Sequence, residues 1–315
     1  MNLPLPRVSV LMAVFNTASY LQEALTSISG QSFADFELIV VDDGSNDGST
    51  QILRAFAATE PRMRLIVREN RGLISTRNEL LQAANGELIA WMDSDDYSST
   101  NRLALQVARF DAEPDLVCLG GFAQCIDPNG EYLNVERYPL EHQEILAEQQ
   151  KGGAMRFPTT MMRRDAALRA GGFREPFRIG EDFDLFLRLS EAGQMANLPG
   201  VIYFYRQHLS SVCSTLGPRW TIYRDAILEL AQERKTSGSD KLQRGEGLDI
   251  AATPLMNMRP FEARTYLRWA NEALQNGNTS LAWKYTVASL AKQPMSREGW
   301  KTAARCLLPQ LRKPM

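Results

Sequence analysis

Short apolar runs alternate with amphipathic stretches over the first hundred residues. VSVLMAV (8–14), FELIVV (36–41), RLIV (64–67) and LIAWM (88–92) are the runs. Apolar segments of this length, bounded by turn formers, predict buried strands. Between them, Leu21, Ala24, Leu25 and Ile28 recur at helical spacing, as do Ile52, Leu53 and Phe56. Asp47 and Ser49 supply a helix-start signal for the second of these helices. A third helix, over 73–84, carries Arg77 and Asn78. Strand–helix alternation implies a mostly parallel sheet with helices on both faces. Such sheets bind ligands beyond the carboxyl ends of their strands. Acidic residues gather there: Asp42 and Asp43 after the second strand, and Asp93, Asp95 and Asp96 after the fourth.

The pattern then loosens. A helix is expected over 99–112 and a strand over 115–123, where Gly120-Gly121 reads as a bulge or the close approach of a ligand. Residues 125–157 read as a loop-rich rim with a polar helix near 141–150, followed by a short strand at 158–163 and a helix over 165–170. After Gly171-Gly172 a loop runs to Gly180, and Glu181-Asp182 opens a helix with Phe183, Phe186, Leu187 and Leu189 on its apolar face. A strand at 200–206 precedes His208.

From about 218 helical periods take over, at 218–235, 247–256, 261–276, 279–292 and 296–311, with 236–247 as a flexible linker. Tyr266, Trp269, Ala270 and Ala273 are spaced to face Ala282, Tyr285, Ala288 and Leu290. That is the spacing of a tetratricopeptide-like hairpin, or of a simple helical appendage. The expected organisation is an α/β domain over 1–215 and a helical region over 216–315.

Composition narrows the picture. The 315 residues carry a net charge of -2, so no global basic field draws the chain to nucleic acid. No apolar run reaches the roughly 20 residues that cross a bilayer. The segment after Arg7 reads as a strand rather than a signal peptide. Cys118, Cys125, Cys213 and Cys306 fit no Cys-x-x-Cys metal pattern and are expected to be reduced thiols of a cytoplasmic protein. The last helix places Arg297, Lys301 and Arg305 at four-residue steps beside Trp300, Leu307, Leu308 and Leu311, with Arg312 and Lys313 beyond. A helix of this kind suits peripheral contact with the inner face of the cell membrane; a solvated basic face is the alternative.

The chemistry concentrates at GELIAWMDSDDY, residues 86–97. Carboxylates crowded at the end of a buried strand repel one another and are costly to desolvate. A hard dication, Mn²⁺ or Mg²⁺, would relieve that cost, since such ions take carboxylate and phosphate oxygens. A solvated Asp/Ser turn is the plainer reading. Taken alone, Asp182 reads as a helix N-terminal cap and His208 as a structural histidine.

VSVLMAVFN, FELIVVDDGSNDGS, NRGLISTRN, GELIAWMDSDD and GGFRE…GEDFDLFLRL follow one another in the order found in glycosyltransferase family 2, and the resemblance spans about residues 7–210. It implies a GT-A fold, a Rossmann-like sheet with helices on both faces, here with a C-terminal α-helical appendage. It further implies inverting, metal-dependent transfer of a sugar from a nucleotide-diphosphate-sugar, expected to be a UDP-sugar. The acceptor would be a hydroxyl of a glycan or glycolipid, in bacterial surface polysaccharide synthesis. Carried onto this chain, the resemblance makes Asp182 the catalytic base. It places Ala13, Phe15, Asn16, Asp43, Arg77, Asp93, Ser94 and Glu181 at the donor, with Phe15 where many relatives have Tyr. It makes Asp95 and Asp93 the ligands of Mn²⁺ or Mg²⁺, with His208 near the metal. A sugar-phosphate nucleotidyltransferase is a competing reading, but 8–17 lacks the glycine-rich basic phosphate loop that it requires. A non-catalytic scaffold built on the helical tail is another.

Overall fold

The computed structural model describes residues 5–209, 211, 220–248, 250 and 258–308. Strands β1 (Val8–Val14), β2 (Phe36–Asp43), β3 (Met63–Arg68) and β4 (Leu88–Asp93) lie parallel in the order β3-β2-β1-β4. Helices α1 (Ala18–Ser29), α2 (Ser49–Ala57) and α3 (Leu73–Ala83) make the crossovers. Successive side chains of a strand point to opposite faces. Accordingly Val10, Met12, Leu38, Val40, Ala90 and Met92 enter one core with Leu21, Leu25 and Ile28 of α1. Leu11, Ile39, Ile89 and Trp91 enter a second core with Ile74, Leu80 and Leu81 of α3. Both faces are covered, which is why these strands read as continuous apolar runs rather than alternating ones.

The chain runs outward from β1 to β3 and returns to β4 on the other side of β1, so a crevice opens at the carboxyl ends of β1 and β4. The register pairs Ala13 with Asp93 and Val14 with Asp42, which brings the acidic ends to one edge.

Beyond β4 come β5 (Tyr97–Ser98), α4 (Arg102–Ala112), β6 (Leu116–Ile126), β7 (Tyr132–Glu136), α5 (His142–Gln149) and β8 (Met161–Arg163). They are followed by α6 (Arg164–Arg169), α7 (Glu181–Ser190) and β9 (Gln194–Arg206). β8 is antiparallel to β4 and β6, and β5 to β9, so the sheet continues β4-β8-β6-β9-β5 as a mixed sheet. The expected loop-rich rim holds β7 and α5. Gly120 and Gly121 answer to packing rather than to a ligand: a Cβ there would lie 2.3 Å from Asn197 Oδ1 and 2.6 Å from Ile202 Cδ1.

The chain forms two compact units. The first comprises Met1–Ala123, Glu136–Tyr205 and Thr215–Ala251. It takes in α8 (Trp220–Ser237), whose Tyr223, Ile227, Leu230 and Ala231 pack on Phe177, Ile179, Phe183 and Leu187 around α7. Residues 236–247 are not a free linker. Asp240 is fully buried and paired with Arg174 at 2.7 Å and Arg234 at 2.6 Å, while Asp184 of α7 pairs with Arg174 and, at 2.7 Å, with Arg188. An ion network of this kind pins the segment because an unpaired charge in the interior is costly.

The second unit comprises Gln124–Val135, Arg206–Ser214 and Ala252–Met315. Its helices are α9 (Met258–Gln275), α10 (Thr279–Lys292) and α11 (Arg297–Leu307). Tyr266 stacks on Tyr285 at 5.9 Å and Trp269 meets it edge-on at 5.0 Å, so the facing residues of the α9–α10 hairpin are those the spacing named. The Tyr285 hydroxyl donates to the buried Asp127 at 2.6 Å, and Trp269 Nε1 donates to Gln207 Oε1 at 2.5 Å. The expected helix at 247–256 and the end of the one at 296–311 fall mostly outside the described residues, as does Cys213.

Candidate active site

Strand β4 ends in Asp93-Ser94-Asp95-Asp96, and an oxygen from each of Asp93, Asp95 and Asp96 lies within 4.8 Å of the others. Ser94 is buried and its Oγ accepts from the Thr17 hydroxyl at 2.9 Å, which ties this turn to the start of α1. The Asp93 side chain keeps 34% of its surface open while protein encloses the rest. That enclosure pushes its pKa up to about 6; Arg77 opposes the shift, and the charges of Asp95 and Asp182 add to it. Carboxylates from the end of β4 and the start of α7 therefore act on one another. Asp182 is half-buried in the first turn of α7, and its Oδ1 accepts from the Phe183 N–H at 2.8 Å.

Arg77 joins the two groups. Its guanidinium lies 4.2 Å above the Phe157 ring and 5.5 Å from that of Phe173, and both rings pack on Trp91 of β4. It is ion-paired with Glu181 and stands 3.8 Å from Asp93. Burial raises the Glu181 pKa to about 7; Arg77 works against that rise and Asp182 with it. The arginine that the resemblance placed near the donor is thus a buried strut between β4 and α7.

The other expected donor residues spread along the same edge. Ala13 is half-buried beside Asp93, and Phe15 is half exposed. Asn16 takes a left-handed conformation at φ 55° and its Oδ1 accepts from the Asn46 N–H at 2.9 Å, which knits the loops after β1 and β2. Asp43 is turned to the loop before α3: Oδ1 accepts from the Arg71 N–H at 2.8 Å and from Arg68, and Oδ2 from the Gly72 N–H at 2.9 Å. It is 4% exposed. His208 belongs to the second unit.

Three side chains escaped the sequence reading. Arg102 is fully buried below the acidic turn, donates to Trp91 O at 2.8 Å, and faces Asp93 and Asp96 electrostatically. Arg156 pairs with Glu136 at 2.6 Å, lies 4.5 Å over the Tyr205 ring, and its charge reaches Asp93. Phe157 carries Arg77. No local motif marks these residues; the available signal was Arg102 with Gln106 one turn on, among Leu103, Val107 and Phe110 on the buried helix face.

The chain is similar to several known proteins. The EpsE protein of Bacillus subtilis, a putative glycosyltransferase, is 34% identical over 207 residues, covering 64% of this chain and 73% of that one. A chondroitin synthase of Pasteurella multocida is 28% identical over 200 residues; the match covers 63% of this chain but 20% of that longer protein. Among solved structures, residues 1–349 of TarS from S. aureus superpose with a TM-score of 0.54 at 18% identity, over 92% of this chain and 93% of that one. A mannosyltransferase from Pyrobaculum calidifontis in complex with GDP-Man and Mn²⁺ gives a TM-score of 0.54 at 19% identity, over 99% and 82%. At such identities the likeness is one of fold, and that fold is GT-A. A family model described as glycosyl transferase family 2 matches residues 9–172. With that match over half its length, the chain belongs to glycosyl transferase family 2.

Proposed function

We propose that the chain transfers a sugar from a nucleotide-diphosphate-sugar, a UDP-sugar first among them, to a hydroxyl of a glycan or glycolipid, with inversion at the anomeric carbon. The observation that carries this reading is the convergence of Asp93, Asp95 and Asp182, whose charges act together at the carboxyl edge of the sheet. Its support from relatives is the fold of a TarS structure in complex with UDP-GlcNAc and of the mannosyltransferase with GDP-Man and Mn²⁺. Chondroitin and hyaluronan synthases among the sequence relatives favour a polysaccharide product.

The donor set suits a hard ion: all-oxygen, crowded, and with burial and the neighbouring carboxylates raising the Asp93 pKa against the pull of Arg77. Asp95 with Asp93 would hold Mn²⁺ or Mg²⁺. Such an ion supplies positive charge opposite the leaving diphosphate. Phe15 and Ala13 offer an apolar wall to the nucleoside, Asn16 shapes that loop, and Asp43 Oδ2 has a second lone pair for the base. Ser94 holds the acidic turn, and Arg77 with Glu181 holds α7 in place. Asp182 takes the acceptor proton as the new bond forms; its Oδ1 is fixed by the Phe183 amide, which leaves Oδ2 for that proton. We assign this chemistry to residues 1–215, with 216–315 as a helical region, acting in surface polysaccharide synthesis on the cytoplasmic side of the membrane.

The test is turnover with a panel of nucleotide sugars and Mn²⁺. Asp182→Asn should lose roughly 10²–10⁴-fold in rate with donor affinity nearly unchanged. Near-normal rates in Asp182→Asn, or release of pyrophosphate in place of nucleoside diphosphate, would overturn the reading.

A further inference from the structure

Helix α11 leaves one face uncovered within the second unit. Gly299, Thr302, Ala303 and Cys306 are buried. A Cβ on Gly299 would lie 2.7 Å from Leu290 of α10, so this side is closely packed. On the other side Trp300 is 60% exposed and Leu307 65%, and just before the helix Met295 is 93% exposed. Positions 300, 304 and 307 make one stripe at helical spacing. Pro294, Met295, Arg297, Trp300, Lys301 and Ala304 line a shallow hollow of about 490 Å³. The Trp300 indole N–H donates to Pro294 O at 2.8 Å, which props the ring across the turn instead of folding it inward.

Arg297 and Lys301 are both exposed on this rim, and neither has an ion-pair partner among the described residues. The chain as a whole is slightly acidic, so two unpaired cations beside an exposed aromatic and two aliphatic side chains are a local feature. Single exposed apolar residues are ordinary; a contiguous group rimmed by polar residues marks a contact surface, and the charged residues that line this hollow are Arg297 and Lys301, with the exposed Glu298 of the same turn outside it. We propose that this face docks on an anionic phospholipid surface. Trp300, Met295 and Leu307 enter the boundary between headgroups and acyl chains, and Arg297 and Lys301 meet the lipid phosphates. Charge decides between this occupant and a second copy of the chain. A two-fold interface would set the same patch against itself and oppose its cations, whereas an anionic lipid surface satisfies them. The inference does not depend on the reaction.

The experiment is co-sedimentation of the full chain with vesicles of phosphatidylcholine alone and of phosphatidylcholine with phosphatidylglycerol. Binding should require phosphatidylglycerol and weaken with salt. Arg297→Glu with Lys301→Glu should lose at least roughly tenfold, because each cation contributes about fivefold at an anionic surface. Trp300→Ser with Leu307→Ser should lose binding too, with an unchanged Tm, since both side chains are exposed. Equal binding to both vesicle types, no binding, or full binding by either double variant would overturn the proposal. So would a dimer in light scattering that Trp300→Ser with Leu307→Ser dissociates, since the face would then be a self-interface.

Discussion

Arg77 on α3 and Glu181 at the start of α7 are 104 residues apart in sequence and form a buried ion pair. Through the second arm of the same guanidinium, 3.8 Å from Asp93, this pair couples the acidic end of β4 to the helix turn that carries Asp182. Position and charge at the candidate site therefore depend on a residue with its own side chain 9% exposed.

Removing that cation strands a carboxylate. Arg77→Met leaves Glu181 buried without its partner, which costs about 3–5 kcal/mol in comparable cases. Urea unfolding should show that loss. Adding Glu181→Gln should restore part of it, so a double-mutant cycle will give a coupling well outside additivity.

Stability should fall as pH rises through the neutral range at this site. Glu181 in the folded chain holds its proton up to about pH 7, against an ordinary carboxylate near 4.5. The folded state therefore binds the proton more tightly than the unfolded one. That contribution is complete below the ordinary value and is lost as pH rises through about 7. Glu181→Gln should flatten the stability curve over this window, measured as unfolding free energy against pH. A wild-type and variant difference that stays constant from pH 4 to 8 would contradict it.

A dication should stabilise the fold. Mn²⁺ at about a hundred times its dissociation constant would add about 2.7 kcal/mol, read as a rise in Tm that EDTA reverses. In Asp95→Asn the rise should be small or absent, while the metal-free Tm stays close to wild type because crowded like charges have been thinned.

The charge network behind α7 should be costly to break. Asp240→Ala leaves Arg174 and Arg234 short of a buried partner and should destabilise by about 3–5 kcal/mol. Limited proteolysis within 238–248 should accelerate in the same variant if the ion pairs are what pins this segment.

Gly86 is demanded by its neighbours. A Cβ there would lie 2.6 Å from Ser9 N and 2.8 Å from Val8 C, both backbone atoms that cannot move aside. Gly86→Ala should cost at least the upper part of about 1–3 kcal/mol, checked by chemical denaturation.

Much of this was legible along the chain. The four parallel strands, the crossover helices and the acidic ends follow from local apolar runs, because strands covered on both faces must be apolar throughout. The α9–α10 hairpin follows from helical spacing within each helix, Tyr266, Trp269 and Ala273 in one and Ala282 and Tyr285 in the other, whose rings meet. The mixed half of the sheet was harder to see: β5 has two residues and β8 three, too few to show a period. The glycines of β6 misled, because the sequence marks where a side chain is absent but not what fills the space.

The sequence by itself determined the order of the first four strands and their crossover helices, the strand edge that carries the acids, and the family, since each depends on residues close together in the chain. Only the tertiary structure decided that Arg77 is a strut, that Asp43 is held by the 70–72 loop, and that residues 236–247 are anchored. Those outcomes rest on pairings across tens to a hundred residues, where burial makes a charge seek its opposite and no local pattern says which partner it meets.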